Sequence, residues 1–158
     1  MRTMMETLKF VKGLDPVADA FAGATVYSDV VSMRNHKRVL FALHIGVGAT
    51  GSSTFTVEAC DDVVPTTTEA IPFWSREILT GDTESAITRR AAAGFINTVG
   101  SSKIILIEVD AEDLAEAGDY GFVRLKAAES VDSPVLGGIL IILGESAVQE
   151  DVQPTVIV

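Results

Sequence analysis

The sequence of 158 residues predicts an all-β fold, a β-sandwich or jelly-roll-like domain with extended N- and C-terminal arms. Three observations carry that expectation. Seven or eight strand-length segments follow one another with turn signals between them, the spacing of sandwiches and barrels. At least two of these segments alternate apolar and polar residues with a period of two, as half-buried strands do. Only the N-terminus and residues 112–117 look helical, which does not fit alternating β-α-β units. The expected organisation is an N-terminal arm over 1–24, a sandwich domain over 25–146 and a C-terminal tail over 147–158.

The arm comes first. Met1, Met4, Met5, Leu8 and Val11 fall at roughly helical spacing and suggest one short amphipathic helix. "GLDP" interrupts it, because Pro16 biases Asp15 away from helical backbone. "VADAFAGAT" follows, small and apolar, so the region reads either as a partly ordered arm or as one that packs on a partner. From Thr25 the texture is β. "TVYSDVVS" offers a first strand, and "RVLFALHI" (Arg38–Ile45) is a nearly continuous apolar run of strand length. In "STFTVEAC", Phe55, Val57 and Ala59 share one face and Thr54, Thr56 and Glu58 the other.

"DDVVPTTTEAIP" reads as a long loop stopped by Pro65 and Pro72, and "FWSREILTG" as a further strand or irregular edge. Residues 82–102 are ambiguous: Ala91–Ala93 favour helix, whereas Gly94, Thr98, Gly100 and Ser101 favour strands joined by turns. "KIILIEVD" (Lys103–Asp110) is a strand, and "AEDLAEAGD" a helical turn or loop closed by Gly118. "YGFVRLKAAE" sets Val123, Leu125 and Ala127 against Phe122, Arg124 and Lys126. "VLGGILIILG" is a late buried strand, and the acidic tail ends in the strand-like "TVIV".

Bulk properties bound the function. A chain of this length buries roughly two-thirds of its unfolded surface and needs no disulfide or metal to fold. Hydrophobic residues make up 47%, which argues against general disorder. The net charge of −10 repels phosphate backbones, so no nucleic-acid partner is expected, and a basic partner surface would be complementary. The lone Cys60 cannot form an internal disulfide. "MRTMMETLKFVKG" lacks the apolar run of a secretory signal, and no segment reaches the roughly 18 apolar residues of a membrane helix, so a cytoplasmic protein without a membrane partner is expected.

Several motifs invite chemistry. Gly46, Gly48 and Gly51 in "HIGVGATGSSTF" spell the G-x-G-x-x-G of a dinucleotide loop. That site needs a helix after the loop to hold the pyrophosphate, and here a strand pattern follows. The loop therefore reads as a hairpin connection whose glycines supply positive φ, with no cofactor. His36 and His44 are the only histidines; with Cys60 they fall short of a zinc set or a triad, and no metal is expected. Asp110, Glu112, Asp113, Glu116 and Asp119 suggest calcium but fail the EF-hand pattern, so a solvated acidic turn is expected. Arg89 and Arg90, with Arg76 and Lys103 nearby, form a candidate basic spot for a charge-complementary partner contact. Trp74 and Phe73 beside carboxylates allow a carbohydrate-binding reading.

The order of several pieces resembles a family. "DVVSM" (Asp29–Met33), "GVGATGSSTFTVEACDD" (Gly46–Asp62), "AIPF" (Ala70–Phe73), "AAGF" (Ala92–Phe95), "IEVDAEDL" (Ile107–Leu114) and "YGFVRLKAAESVDSPVLGGILIIL" (Tyr120–Leu143) resemble the head decoration, or cement, proteins of tailed bacteriophages. The resemblance covers roughly residues 25–145. It implies a β-rich, non-enzymatic structural virion protein on the outer capsid surface. Such a protein forms homotrimers over local three-fold positions, binds the major capsid protein and clamps the lattice against internal pressure. Thr155, Val156, Ile157 and Val158 would then be partner-binding residues, adding a strand to a neighbour's sheet edge. A tail or head–tail connector component is the alternative within the virion.

Overall fold

The computed structural model describes residues 3–146, and within them the chain is an all-β sandwich of two antiparallel sheets. The first sheet contains β1 (Lys9–Val17), β4 (His36–Ile45), β7 (Phe73–Leu79), β8 (Thr83–Glu84), β9 (Thr88–Arg90), β11 (Lys103–Asp110) and β13 (Gly137–Ser146). Its order is β1-β13-β4-β11-β7-β8, with β9 also on β7. The second sheet contains β2 (Thr25–Tyr27), β3 (Val31–Ser32), β5 (Ser52–Cys60), β6 (Thr68–Ile71), β10 (Phe95–Ile96) and β12 (Phe122–Val131). Here β5 and β12 form the centre, β10 and β6 flank β5, and β2 and β3 flank β12. Two short helices, α1 (Met4–Thr7) and α2 (Ala111–Ala117), complete the described chain.

The core lies between the sheets and follows the two-residue period of the strands. Val39, Phe41, Leu43 and Ile45 of β4 point inward, as do Ile105, Ile107 and Val109 of β11 and Ile139, Ile141 and Leu143 of β13. Phe55, Val57, Val123 and Leu125 meet them from the second sheet. Phe21 stands edge-on to Phe55 at 5.5 Å between ring centroids, and Phe95 lies 6.1 Å from both Phe55 and Phe73. Burying each such side chain stabilises the fold by about 1.5–3 kcal/mol. Leu114 of α2, 1% exposed, joins the same core.

Three local expectations are corrected. The helix expected over Met1–Val11 extends only from Met4 to Thr7. From Lys9 the chain is strand β1, which pairs with β13 along most of its length, so that Val11 of the expected arm is buried, and Ala20 and Phe21 beyond the strand are buried too. A tertiary partner strand overrides the local helical spacing.

The glycine loop is also not a hairpin. β4 pairs with β13 and β11, whereas β5 pairs with β12, β10 and β6, so residues 46–51 carry the chain from one sheet to the other. The left-handed glycines are Gly23, Gly81, Gly94, Gly100 and Gly118, not these three. Glycine is needed in this loop for close approach instead. A Cβ on Gly51 would collide with the Ser133 carbonyl oxygen and with Val135 Cγ2, and one on Gly48 would lie 3.0 Å from Val135 Cα. The loop is therefore pressed against the 133–136 segment, to which it is tied by Leu136 N donating to Val47 O at 2.8 Å. The third correction is to "TVYSDVVS", which breaks into β2 and β3 around Ser28. The Ser28 hydroxyl accepts from Leu125 N at 2.9 Å, filling the gap in the ladder.

Candidate interaction surface

The two outer faces of the sandwich differ in chemistry. That of the second sheet is polar and internally satisfied. Glu58, 8% exposed, accepts from Arg124 Nη2 at 2.7 Å and Nε at 2.8 Å, and pairs with Lys126 Nζ at 3.3 Å. The Arg124 guanidinium also stacks 3.9 Å from the centre of the Tyr27 ring. These charges have their partners on the same sheet.

The outer face of the first sheet is largely apolar. Its strands carry cross-strand rows fixed by the register. One row runs Trp74, Glu108, Leu40, Ile142, Phe10; the next runs Arg76, Leu106, Ala42, Leu140, Lys12; a third runs Ile78, Ile104, His44, Gly138. Phe10, Leu140 and Trp74 are 46%, 41% and 39% exposed, and the other apolar members are half-buried by their neighbours. Antiparallel sheets that meet water on one side normally turn polar residues outward. An apolar face of this kind has the chemistry that protein–protein contacts favour. It is also not flat. Two open hollows of about 450 Å³ each indent it, one beside Leu14, Pro16, Leu136 and Leu140, the other beside Leu40, Trp74, Ile87 and Leu106.

Charged side chains enter the hollows as well: Arg38, Arg76, Glu108 and Asp110 line the second, and Lys12 and Asp15 the first. Arg38 bridges three carboxylates, Asp110 at 3.0 Å, Glu145 at 3.4 Å and Glu108 at 3.6 Å. Arg76 pairs with Glu84 at 2.7 Å, and Lys12 with Asp15 at 3.3 Å.

The residues singled out from the sequence fall as follows. Arg89 lies on β9 and is held in two-point contact by Asp113 of α2, with Nη1 donating to Oδ2 at 3.2 Å and Nη2 to Oδ1. Its guanidinium lies 5.3 Å from the Trp74 ring centre. Arg90 donates from Nε to Ser75 Oγ at 2.8 Å and stacks on Phe95 at 4.5 Å. Arg76 is engaged by Glu84, and Lys103 points into the interior, so the four cations do not form one basic spot. Thr155, Val156, Ile157 and Val158 lie outside the described residues.

Phe73 is fully buried, which removes it from a sugar platform, and Arg89 stacks on Trp74. His44 is on the outer face of the first sheet and Cys60 on the second sheet, so they do not meet. Burial pushes the Cys60 thiol up to about 11 and the buried His36 imidazole below its ordinary range. Asp113 is spent on Arg89, Asp110 on Arg38, and among the described residues no group of three or more His, Cys, Asp and Glu gathers as a metal site. No described helix is long and apolar enough to cross a membrane.

The apolar face itself was not singled out from the sequence, although its signal is there. β4, β11 and β13 are apolar at both alternating sets of positions, as in Leu40 and Ala42 against Val39 and Phe41. A strand with one solvated face normally alternates, and a near-continuous apolar run departs from that pattern.

No protein-family model matches the chain, and no curated protein matches it. A solved structure described as "Structure of infectious bursal disease virus Gx strain" is similar over 86% of this chain and 40% of that one, at 12% identity and a TM-score of 0.25. The chain thus spans well under half the length of that structure's chain.

Proposed function

We propose that this chain is a non-enzymatic structural virion protein that binds, as a homotrimer, to the major capsid protein on the outside of a tailed-phage lattice and stabilises it. The observation that carries this reading is the apolar outer face of the first sheet, set against an opposite face whose charges are already paired. The resemblance of residues 25–145 to head decoration proteins gives the partner its class. Five strands at about 4.8 Å spacing, over about six residues of 3.4 Å rise, make a face of roughly 500 Å². A standard interface takes about 800 Å² from each partner, so the contact also takes in the charged margin around Arg38. The net charge of −10 suits a partner surface with basic patches.

The test uses capsids purified without this protein. Added wild-type protein should co-sediment with them and raise the temperature at which they release DNA. Leu140→Glu, at an exposed position, should remain folded by circular dichroism and lose at least tenfold in binding. Failure of the wild type to bind, or binding without a gain in heat resistance, counts against the proposal. Retention of full affinity by Leu140→Glu moves the contact off this face.

A further inference from the structure

At one end of the sandwich, three buried polar side chains that the outer face does not use, Lys103, Asn97 and Glu77, lie in neighbouring positions. Lys103 opens β11 and points inward with Ile105; it is 4% exposed, and its Nζ has no hydrogen-bond partner among the described residues. Asn97, just after β10, is 8% exposed. Its Oδ1 accepts from Ser53 N at 2.8 Å and its Nδ2 donates to Thr98 O at 2.9 Å. Lys103 and Asn97 line one small, mostly apolar cavity of about 10 Å³ together with Phe21, Ile45, Phe55 and Val135.

Glu77, also 8% exposed, lies on the neighbouring strand β7. It pairs with Ile105 and so sits diagonally from Lys103 on the same inward face. Its carboxylate accepts from Thr98 N at 2.9 Å and from Thr98 Oγ1 at 2.8 Å, which ties it to the residue after Asn97.

An ammonium buried without partners is costly, and the cost falls when the amine becomes neutral. Burial lowers the Lys103 pKa, and Glu77 opposes that shift. An unpartnered lysine amine that shares a small, mostly apolar cavity with a carboxamide, with a carboxylate on the adjacent strand to move protons, is a nucleophile near its target. We propose that Lys103 and Asn97 join in an intramolecular isopeptide bond, with Glu77 as the proton carrier.

The step balances without any further reactant. The Glu77 carboxylate takes the ammonium proton and frees the Nζ lone pair. Nζ bonds to Asn97 Cγ, and Glu77 passes its proton to Nδ2. The Cγ–Nδ2 bond breaks and ammonia leaves. A second Nζ proton returns to Glu77, which later gives it to solvent. The product is a secondary amide linking the start of β11, in the first sheet, to the segment after β10, in the second.

Intact-mass measurement of the folded, purified chain tests this directly. The expected mass is that of the sequence less one ammonia. Trypsin should then fail to cut after Lys103 and yield residues 91–124 as one fragment, lighter by the same ammonia. Glu77→Gln, checked for folding by circular dichroism, should keep the full mass and be cut after Lys103. Asn97→Asp should lose one water in place of ammonia. A folded wild type of full mass overturns the proposal. So does a chain lighter by ammonia that is still cut after Lys103, the pattern of a succinimide at Asn97. Wild-type extent of linkage in Glu77→Gln overturns the role of Glu77.

Discussion

Replacing the glycines of the 46–51 loop by alanine, one at a time, separates close packing from backbone freedom as the reason for glycine there. None of the three has a left-handed backbone, so alanine adds no φ strain and gains about 0.4–1 kcal/mol by restricting the unfolded chain. What differs is the space each new methyl meets. At Gly46 the nearest atom is Leu136 Cδ2 at 2.9 Å, the end of a side chain 41% exposed and free to turn away. At Gly48 it is Val135 Cα at 3.0 Å, which moves only with its backbone. At Gly51 it is the Ser133 carbonyl oxygen together with Val135 Cγ2.

Overpacking costs about 1–3 kcal/mol, and a collision with a main-chain carbonyl belongs at the upper end. Net of the gain in the unfolded state, Gly51→Ala should lose about 2 kcal/mol. That corresponds to a Tm lower by about 4–8 °C for a chain of this size. Gly46→Ala should stay within about 0.5 kcal/mol of wild type, and Gly48→Ala should fall between. Thermal melts followed by circular dichroism, with urea titrations to check that m is unchanged, give the order. Equal losses at all three positions, or the greatest loss at Gly46, would refute the packing argument.

Two further outcomes concern buried titratable groups. Burial, its largest cause, lowers the His36 pKa, so as pH falls the unfolded chain takes up this proton before the folded one does. Stability should therefore drop as pH falls below about 6.5, and His36→Gln should flatten that part of the decline in melts run between about pH 7.5 and pH 5. An identical pH slope in the two proteins would exclude His36 as the source. Cys60 is fully buried between β12 and β6, with its thiol pushed up to about 11, so a thiol reagent near neutral pH should label it only as fast as the protein opens. Prompt labelling of the native chain, at the rate of the denatured one, would show that the β5 region does not stay closed.

What the sequence discloses depends on whether a local pattern is answered by a local cause. β11 was legible residue for residue from Lys103 to Asp110 as a largely apolar run of strand length, and β5 and β12 nearly so, because the alternation of those two follows directly from one buried face. Residues 111–117 read as a helical turn or a loop closed by Gly118; the structure makes them α2, and Asp113, expected in a solvated acidic turn, is instead part of the helix start, its Oδ2 accepting from Asp110 N at 3.4 Å. β1 was hidden because its partner β13 lies more than a hundred residues away, while Met4, Met5 and Leu8 offered a helical period close at hand. The choice between a hairpin and a crossing at Gly46–Gly51 was illegible for a related reason, since β4 finds both of its neighbours elsewhere in the chain. The pairing of Arg89 with Asp113 likewise joins β9 to α2 across the fold. The apolar outer face lies between these cases. Its double-sided strands are visible in the letters, and what they lack is any sign of what covers them.

The position of β13 also has a consequence for synthesis. This strand is the last of the described chain to leave the ribosome, and it lies between β4 and β1, both made long before it. Until Gly137–Ser146 emerges, the two earlier strands have an empty lane between them, and Phe41 and Leu43 lack Ile139, Ile141 and Leu143 beside them. Each nascent chain therefore passes through a stage with a gap in its larger sheet. Closing the larger sheet therefore waits on contacts between residues more than ninety positions apart, the slow and exposed step of such a topology.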